Sequence, residues 1–320
     1  MTLQAVLGRA ASRLESTAAG IALSLAACAV LFAGDAHATE AQAAAPPPIA
    51  RAAGDGPPLW VIRDADSTIY LYGTVHMLKP GTAWGSDKVD AAFDSASDLW
   101  LEIADPNDQS ELGPLIRQYG VQPGQPLSSW LTPEEKTALD AAVRATGMEP
   151  AQIDPFRPWF AALMIATGPL TVAGFDPALG VELNLRARAV EAGKPIHGLE
   201  TVGQQMRGLA LMSDDNQKVY LRHYLKTWNA VAGDLDRLVA GWIAGDETAL
   251  AEFALENGRA ISEETHQTFL ARRNADWAGQ IETLLKGSGV SFIAVGAGHL
   301  AGDDSVQEML AARGVTVTRE

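Results

Sequence analysis

Residues 68–76 read Thr68-Ile69-Tyr70-Leu71-Tyr72-Gly73-Thr74-Val75-His76, and residues 290–299 read Val290-Ser291-Phe292-Ile293-Ala294-Val295-Gly296-Ala297-Gly298-His299. Each is an apolar run rich in β-branched and aromatic residues that ends in Gly-x-x-His, the composition of a strand followed by a sharp exit. Upstream of the first copy, Leu59-Trp60-Val61-Ile62 is separated from it by the turn-rich tetrad Asp64-Ala65-Asp66-Ser67, so the two runs are expected to form a hairpin. Downstream, residues 98–103, 194–199, 290–295 and 315–318 read as four further strands. Helical patterns separate them. Thr132-Pro133-Glu134-Glu135 opens one helix, with Thr as cap and Pro at the first position. Residues 181–192 place Val181, Leu185, Ala189 and Ala192 on one face, and 213–230, 246–257 and 271–286 are also helical in pattern. Strands alternating with helices imply an α/β fold with a mixed, partly parallel sheet flanked by helices, the hairpin supplying its antiparallel pair. No convincing strand falls between 106 and 193, so a mostly helical cap insertion is expected there. Within it Asp154, Arg157, Trp159 and Phe160 are candidates to line a site entrance, with core packing the default for the aromatics.

The chain has 320 residues, of which 47% are hydrophobic and 20% charged, the balance of a folded body rather than a disordered one. With 24 Lys+Arg against 39 Asp+Glu the formal charge is −15, which leaves no basic stripe to displace counterions, so no nucleic-acid partner is expected. Residues 1–38 read as a signal peptide: Arg9 and Arg13, an apolar uncharged stretch over 18–34, then the small-residue site Ala36-His37-Ala38. The expected destination is export to the periplasm. Two alternatives stay open, an uncleaved N-terminal anchor and a lipoprotein attached through Cys28 of Leu25-Ala26-Ala27-Cys28. Residues 39–58, with Ala44-Ala45-Pro46-Pro47-Pro48, read as a flexible leader, and 59–320 as the folded α/β domain. No later segment is long and apolar enough to span a bilayer, so no integral membrane domain is expected after cleavage. Cys28 is the only cysteine, so the body has no disulfide, no thiol nucleophile and no thiolate metal site.

In open α/β sheets ligands bind beyond the carboxyl ends of the strands, and a glycine at such an exit allows close approach of the backbone. Two histidines three residues past two such glycines can meet at one site. Glu102 lies near the end of the 98–103 run, and Glu200 directly follows Pro195-Ile196-His197-Gly198-Leu199. Two imidazoles and one or two carboxylates, without a thiol, form a ligand set for a divalent ion such as Zn²⁺, Mn²⁺, Fe²⁺ or Co²⁺, and such an ion supports hydrolysis by activating water. One Gly-x-x-His is common, and a strand-end His is ordinarily a hydrogen-bonded loop residue. What singles out this pair is that each copy directly follows an apolar strand. His197, His223 and His266 lack that setting and read as packing or surface residues. Glu102 alone reads equally as an edge charge, and Glu200 as a cap. The chain has no Gly-x-Ser-x-Gly elbow, His-Glu-x-x-His helix or phosphate loop, and Gly296-Ala297-Gly298 lacks the third glycine of a dinucleotide loop.

With these residues in place, the chain resembles the TraB/GumN family (TraB/PrgY/GumN), which is related to the Tiki-type metalloproteases. The likeness runs from about residue 59 to the C-terminus. It is carried by Leu71-Tyr72-Gly73-Thr74-Val75-His76, Leu101-Glu102, Gly180-Val181-Glu182, Gly198-Leu199-Glu200-Thr201, Arg273-Asn274 and Val295-Gly296-Ala297-Gly298-His299-Leu300. The resemblance implies a metal-dependent peptidase centre in which His76, Glu102 and His299 hold the metal and Arg273 and Asn274 are polar site residues. The expected function is therefore a divalent-metal-dependent hydrolase (Mn, Co or Zn), a peptidase acting on peptide or protein substrates in the cell envelope. In that mechanism Glu200 is a further ligand or the general base, Arg273 stabilises the oxyanion, and Asn274 orients substrate or a ligand. The alternative is a non-catalytic periplasmic binding protein that sequesters a peptide signal or a metal complex.

Overall fold

The computed structural model describes residues 49–106, 108 and 110–320; residues 1–38, read above as a signal peptide and including Cys28, and leader residues 39–48 lie outside the described residues. Strands β1 (Leu59–Arg63), β2 (Ser67–Thr74), β3 (Asp98–Ile103), β4 (Ile196–Glu200), β5 (Gly289–Gly296) and β6 (Val317–Arg319) form one sheet in the order β4-β3-β5-β2-β1-β6. β1 and β2 are the expected hairpin, paired from Leu59↔Tyr72 to Arg63↔Thr68. β6 closes the edge antiparallel to β1. β2, β5, β3 and β4 run parallel to one another. β2 pairs with β5 from Ser67↔Gly289 to Thr74↔Gly296, β5 with β3 through Leu101↔Ala294, and β3 with β4 through Ile103↔Glu200. This register brings the two Gly-x-x-His segments off adjacent strands at the same level, with the ends of β3 and β4 beside them.

β1, β2 and the later part of β5 are buried on both faces, as a sheet with helices on either side requires. Along β5, Phe292 and Ala294 enter one core while Ile293 and Val295 enter the other, the period-two alternation of a pleated strand. The ten longer helices are α1 (Asp87–Ser95), α2 (Pro133–Ala145), α3 (Pro158–Ile165), α4 (Val181–Glu191), α5 (Val202–Ala210), α6 (Asp214–Thr227), α7 (Val231–Ala244), α8 (Glu247–Asn257), α9 (Arg272–Leu285) and α10 (Val306–Ala311). α1, α4, α7 and α8 cover the first face, through Phe93, Leu185, Trp242 and Phe253 among others. α9 and α10 cover the second with Trp277, Ile281, Val306 and Leu310.

A separate helical core joins Leu112, Val143, Trp159 and Phe160 to Met206, Tyr220, Tyr224 and Phe269. This lobe therefore draws on α2 and α3 and, from beyond β4, on α5 and α6, whereas α4 belongs to the sheet. Trp159 and Phe160 pack inside it, Asp154 accepts the Ser128 N–H at 2.8 Å, and Arg157 pairs with Asp214, so none of the four entrance candidates lines the site. α2 begins with the capping box of Thr132 and Glu135. α7 has no comparable sequence signal: Ala230 at its N-cap offers no side chain, and Gly233 and Gly241 lower its propensity. It is held by burial of Val231, Leu235, Leu238 and Trp242, whose Nε1 donates to the Gly73 carbonyl at 2.7 Å. Residues 49–58, the distal part of the leader, are seated on the body. Gly85 exchanges 2.9 Å backbone hydrogen bonds with Ala50 and Ala52, and Arg51 pairs with Asp87 and Asp90. Among the described residues no helix is long and apolar enough to cross a membrane.

Candidate functional site

His76 follows the end of β2 by two residues and is buried. Its Nδ1–H donates to Glu182 Oε1 at 2.5 Å, and Thr74 Oγ1 donates to the same oxygen. Glu182 is the second residue of α4, whose positive end suits a carboxylate. The Val181 N–H donates to the Val75 carbonyl at 3.1 Å, and a Cβ at Gly180 would clash with the His76 carbonyl, so only glycine lets the helix start come this close. Burial disfavours the His76 imidazolium, but the charge and hydrogen bond of Glu182, with Glu102 behind, hold its pKa above the ordinary value.

His299 sits in the turn Ala297–Leu300 after β5. Asn274, in the first turn of α9, donates through Nδ2 to the Asp304 carbonyl at 2.7 Å, which orients its amide. Its Oδ1 then accepts from His299 Nδ1–H at 2.5 Å. Nε2 of His299 is left with the lone pair and accepts from Arg273 Nη1 at 3.1 Å. Burial first, and the Arg273 charge next, pull the His299 pKa down to about 3, so this imidazole is neutral.

Glu102 lies between the two rings. Its Oε1 accepts the Gly296 N–H at 2.7 Å and stands 4.0 Å from His76 Nε2 and 3.8 Å from His299 Nε2. Burial would raise its pKa, but Arg273 and the two histidines hold it well below the usual carboxylate range. Glu200 ends β4 and is held by Arg273 Nε at 3.0 Å and Gln205 Nε2 at 3.2 Å; there burial wins, and its pKa lies above the usual value despite Arg273. All the N–H groups of Arg273 are engaged. Nε bonds Glu200, Nη1 bonds the Phe269 carbonyl at 3.0 Å and His299, and Nη2 bonds Glu102 at 2.6 Å and Glu200. The Phe269 carbonyl belongs to a π-helical turn, Gln267–Ala271, set just before α9. In this arrangement every Arg273 donor is taken, the Nη1–H on His299 Nε2 being the one released if that nitrogen held an ion, and Glu200 stands behind it rather than in the cleft. Both hold the cluster's charge.

All six residues singled out in the sequence, His76, Glu102, Glu200, Arg273, Asn274 and His299, meet in this one cluster. Glu182 and Thr74 were missed as site residues, although Gly180-Val181-Glu182 at a helix start was the available signal. Among the described residues no group of three or more His, Cys, Asp or Glu side chains is arranged to hold a metal ion as it stands. The donor chemistry nevertheless fits one. Both imidazoles are fixed through Nδ1 by an outer acceptor, the usual arrangement of a metal-ligating His, and both Nε2 atoms face Glu102 Oε1. A Cβ on Gly296 would lie 3.1 Å from Glu102 Oε1, 3.4 Å from His76 Nε2 and 3.6 Å from His299 Cδ2, so the missing side chain leaves room among the three. An ion held there would take the His299 Nε2 lone pair and so would cost the Arg273–His299 hydrogen bond.

A narrow cleft of about 30 Å³ reaches the cluster and is lined by His76, Gly296, His299, Phe253 and Asn257. A larger cavity of about 240 Å³ lies beside it, sharing Ala254, Leu270 and Gly298, with His266 and Asp304 on its wall. His266, expected to be a packing or surface residue, is buried and bonded through Nε2 to Asp304 at 2.8 Å.

The sheet register, the paired histidines and the carboxylate–arginine cluster define an α/β protein with a polar site at the carboxyl ends of its parallel strands. Residues 58–319 match the TraB/PrgY/gumN family, and the chain belongs to that family. A protein of Treponema pallidum (strain Nichols), described as an uncharacterized protein, is 23% identical over 267 residues, covering 79% of this chain and 80% of its own. No solved structure matches the chain.

Proposed function

We propose that this protein is a hydrolase of peptide or protein substrates in the cell envelope, where its N-terminal export signature would deliver it. In this reading a divalent ion (Mn²⁺, Co²⁺ or Zn²⁺) is held by His76, Glu102 and His299. The observation that supports it is the pair of imidazoles anchored through Nδ1, with both Nε2 atoms turned toward one carboxylate oxygen. When bound, the ion lowers the pKa of water and polarises the attacked carbonyl. The chain's own residues do the rest. Glu182 and Asn274 hold the imidazoles in the tautomer that presents Nε2. Arg273 keeps Glu102 ionised and fixes Glu200 behind it. Phe253 and Phe269 wall the cleft.

The test is metal stoichiometry on stripped protein titrated with Mn²⁺, Co²⁺ and Zn²⁺, followed by hydrolysis of fluorescein-labelled casein. His76→Ala and His299→Ala are run in parallel. About one tight ion per chain, lost in both variants together with casein cleavage, is the expected result. Cleavage that survives intact in either variant refutes the assignment. Peptide binding without turnover would favour a sequestering protein instead.

A further inference from the structure

Asn257 closes α8 and lines the same cleft as His76, Gly296 and His299. It is more than nine-tenths buried. Its Nδ2 donates to the Phe253 carbonyl at 2.8 Å, which fixes the amide, since the flipped orientation would set two oxygens against each other. Oδ1 has no partner among the described residues. A buried acceptor without a donor is unfavourable, and one on the wall of a cleft can take its donor from a molecule that enters the cleft. An amide oxygen is satisfied by an N–H or O–H group. Beside the cleft, the larger cavity has small and apolar walls at Ala251, Ala254, Leu255 and Leu270. That is room for a side chain attached to whatever binds at Asn257.

We propose that Asn257 is a substrate-positioning residue whose Oδ1 accepts a backbone N–H of a bound peptide, with a neighbouring apolar side chain seated in the adjoining cavity. The site then selects amide-backbone chains over esters, because an ester oxygen cannot donate. This rests on the peptide-hydrolase reading for its substrate class. It depends on neither the metal nor turnover.

The test uses the full chain, a fluorescein-labelled alanine–leucine hexapeptide, and its five analogues in which one amide is replaced by an ester. Binding is measured by fluorescence polarisation in EDTA, where the hydrolase reading predicts no turnover. One ester analogue should bind wild type about tenfold more weakly, the worth of a single neutral hydrogen bond. Asn257→Leu should bind the parent peptide about as weakly and be blind to that ester. The Tm of Asn257→Leu should hold or rise, since an unpaired buried acceptor is removed; a merely structural residue would lower it. Unchanged peptide affinity in Asn257→Leu, the same ester penalty in that variant, or no peptide binding at millimolar concentration each overturns the proposal. Discrimination in a protein that never cleaves casein leaves Asn257 standing and removes the hydrolase. Cleavage without discrimination does the reverse.

Discussion

Replacing Arg273 by Met tests whether the cluster is held by one buried guanidinium. The side chain satisfies two carboxylates, one backbone carbonyl and one imidazole, and it stacks on Trp277 at 4.7 Å. Met keeps most of that stacking volume and removes only the charge and its donors. Glu102 and Glu200, with side chains 6% and 10% exposed, would then be stranded as buried like charges. Breaking such a pair from one side costs about 3–5 kcal/mol, a large share of the roughly 5–15 kcal/mol that holds a domain together. Urea unfolding of metal-free protein reads this as a lower midpoint at unchanged m. The sign of the pH dependence follows. A stranded carboxylate has a folded pKa above its unfolded value, so its stability is present below about pH 4 and lost as pH rises through the raised value. The deficit of Arg273→Met should therefore be smaller at pH 5 than at pH 7. Adding Glu102→Gln and Glu200→Gln should return at least half of it, because neither stranded carboxylate then remains. A loss under about 1 kcal/mol, or a triple variant no better than the single, would refute the reasoning.

Three further substitutions probe the geometry. Gly296→Ala puts a methyl 3.1 Å from Glu102 Oε1 at an ordinary φ of −51°, so Mn²⁺ affinity should fall more than about tenfold while the urea midpoint barely moves. Glu182→Gln removes the anionic acceptor of His76 Nδ1–H, and metal affinity by calorimetry should drop about 10–100-fold, the usual worth of such a partner. Gly180→Ala forces α4 away from the His76 carbonyl; an overpacking cost of about 1–3 kcal/mol is expected in urea unfolding, with metal affinity lost alongside.

Much of this protein is legible along the chain, because strands and capped helices are local. The run before Gly73, the Asp64–Ser67 turn and the Thr132-Pro133-Glu134-Glu135 start announce elements that the structure contains. α7 was not legible: with two internal glycines and no side-chain cap at its start it is stabilised by Trp242 and its neighbours in the core rather than by propensity. The candidate site divides in the same way. The repeated Gly-x-x-His and the Glu after each of two apolar runs are visible as residues, and strand ends on a parallel sheet face one another. The sequence alone could not decide who holds whom. Only the register Thr74↔Gly296 puts His76 and His299 on the same carboxylate, and only the close start of α4 gives Glu182 to His76. Arg273 carries five donors in any fold. The tertiary structure gathers Glu102, Glu200, the Phe269 carbonyl and His299 around it and engages all of them, which makes Arg273 the counter-ion of the site.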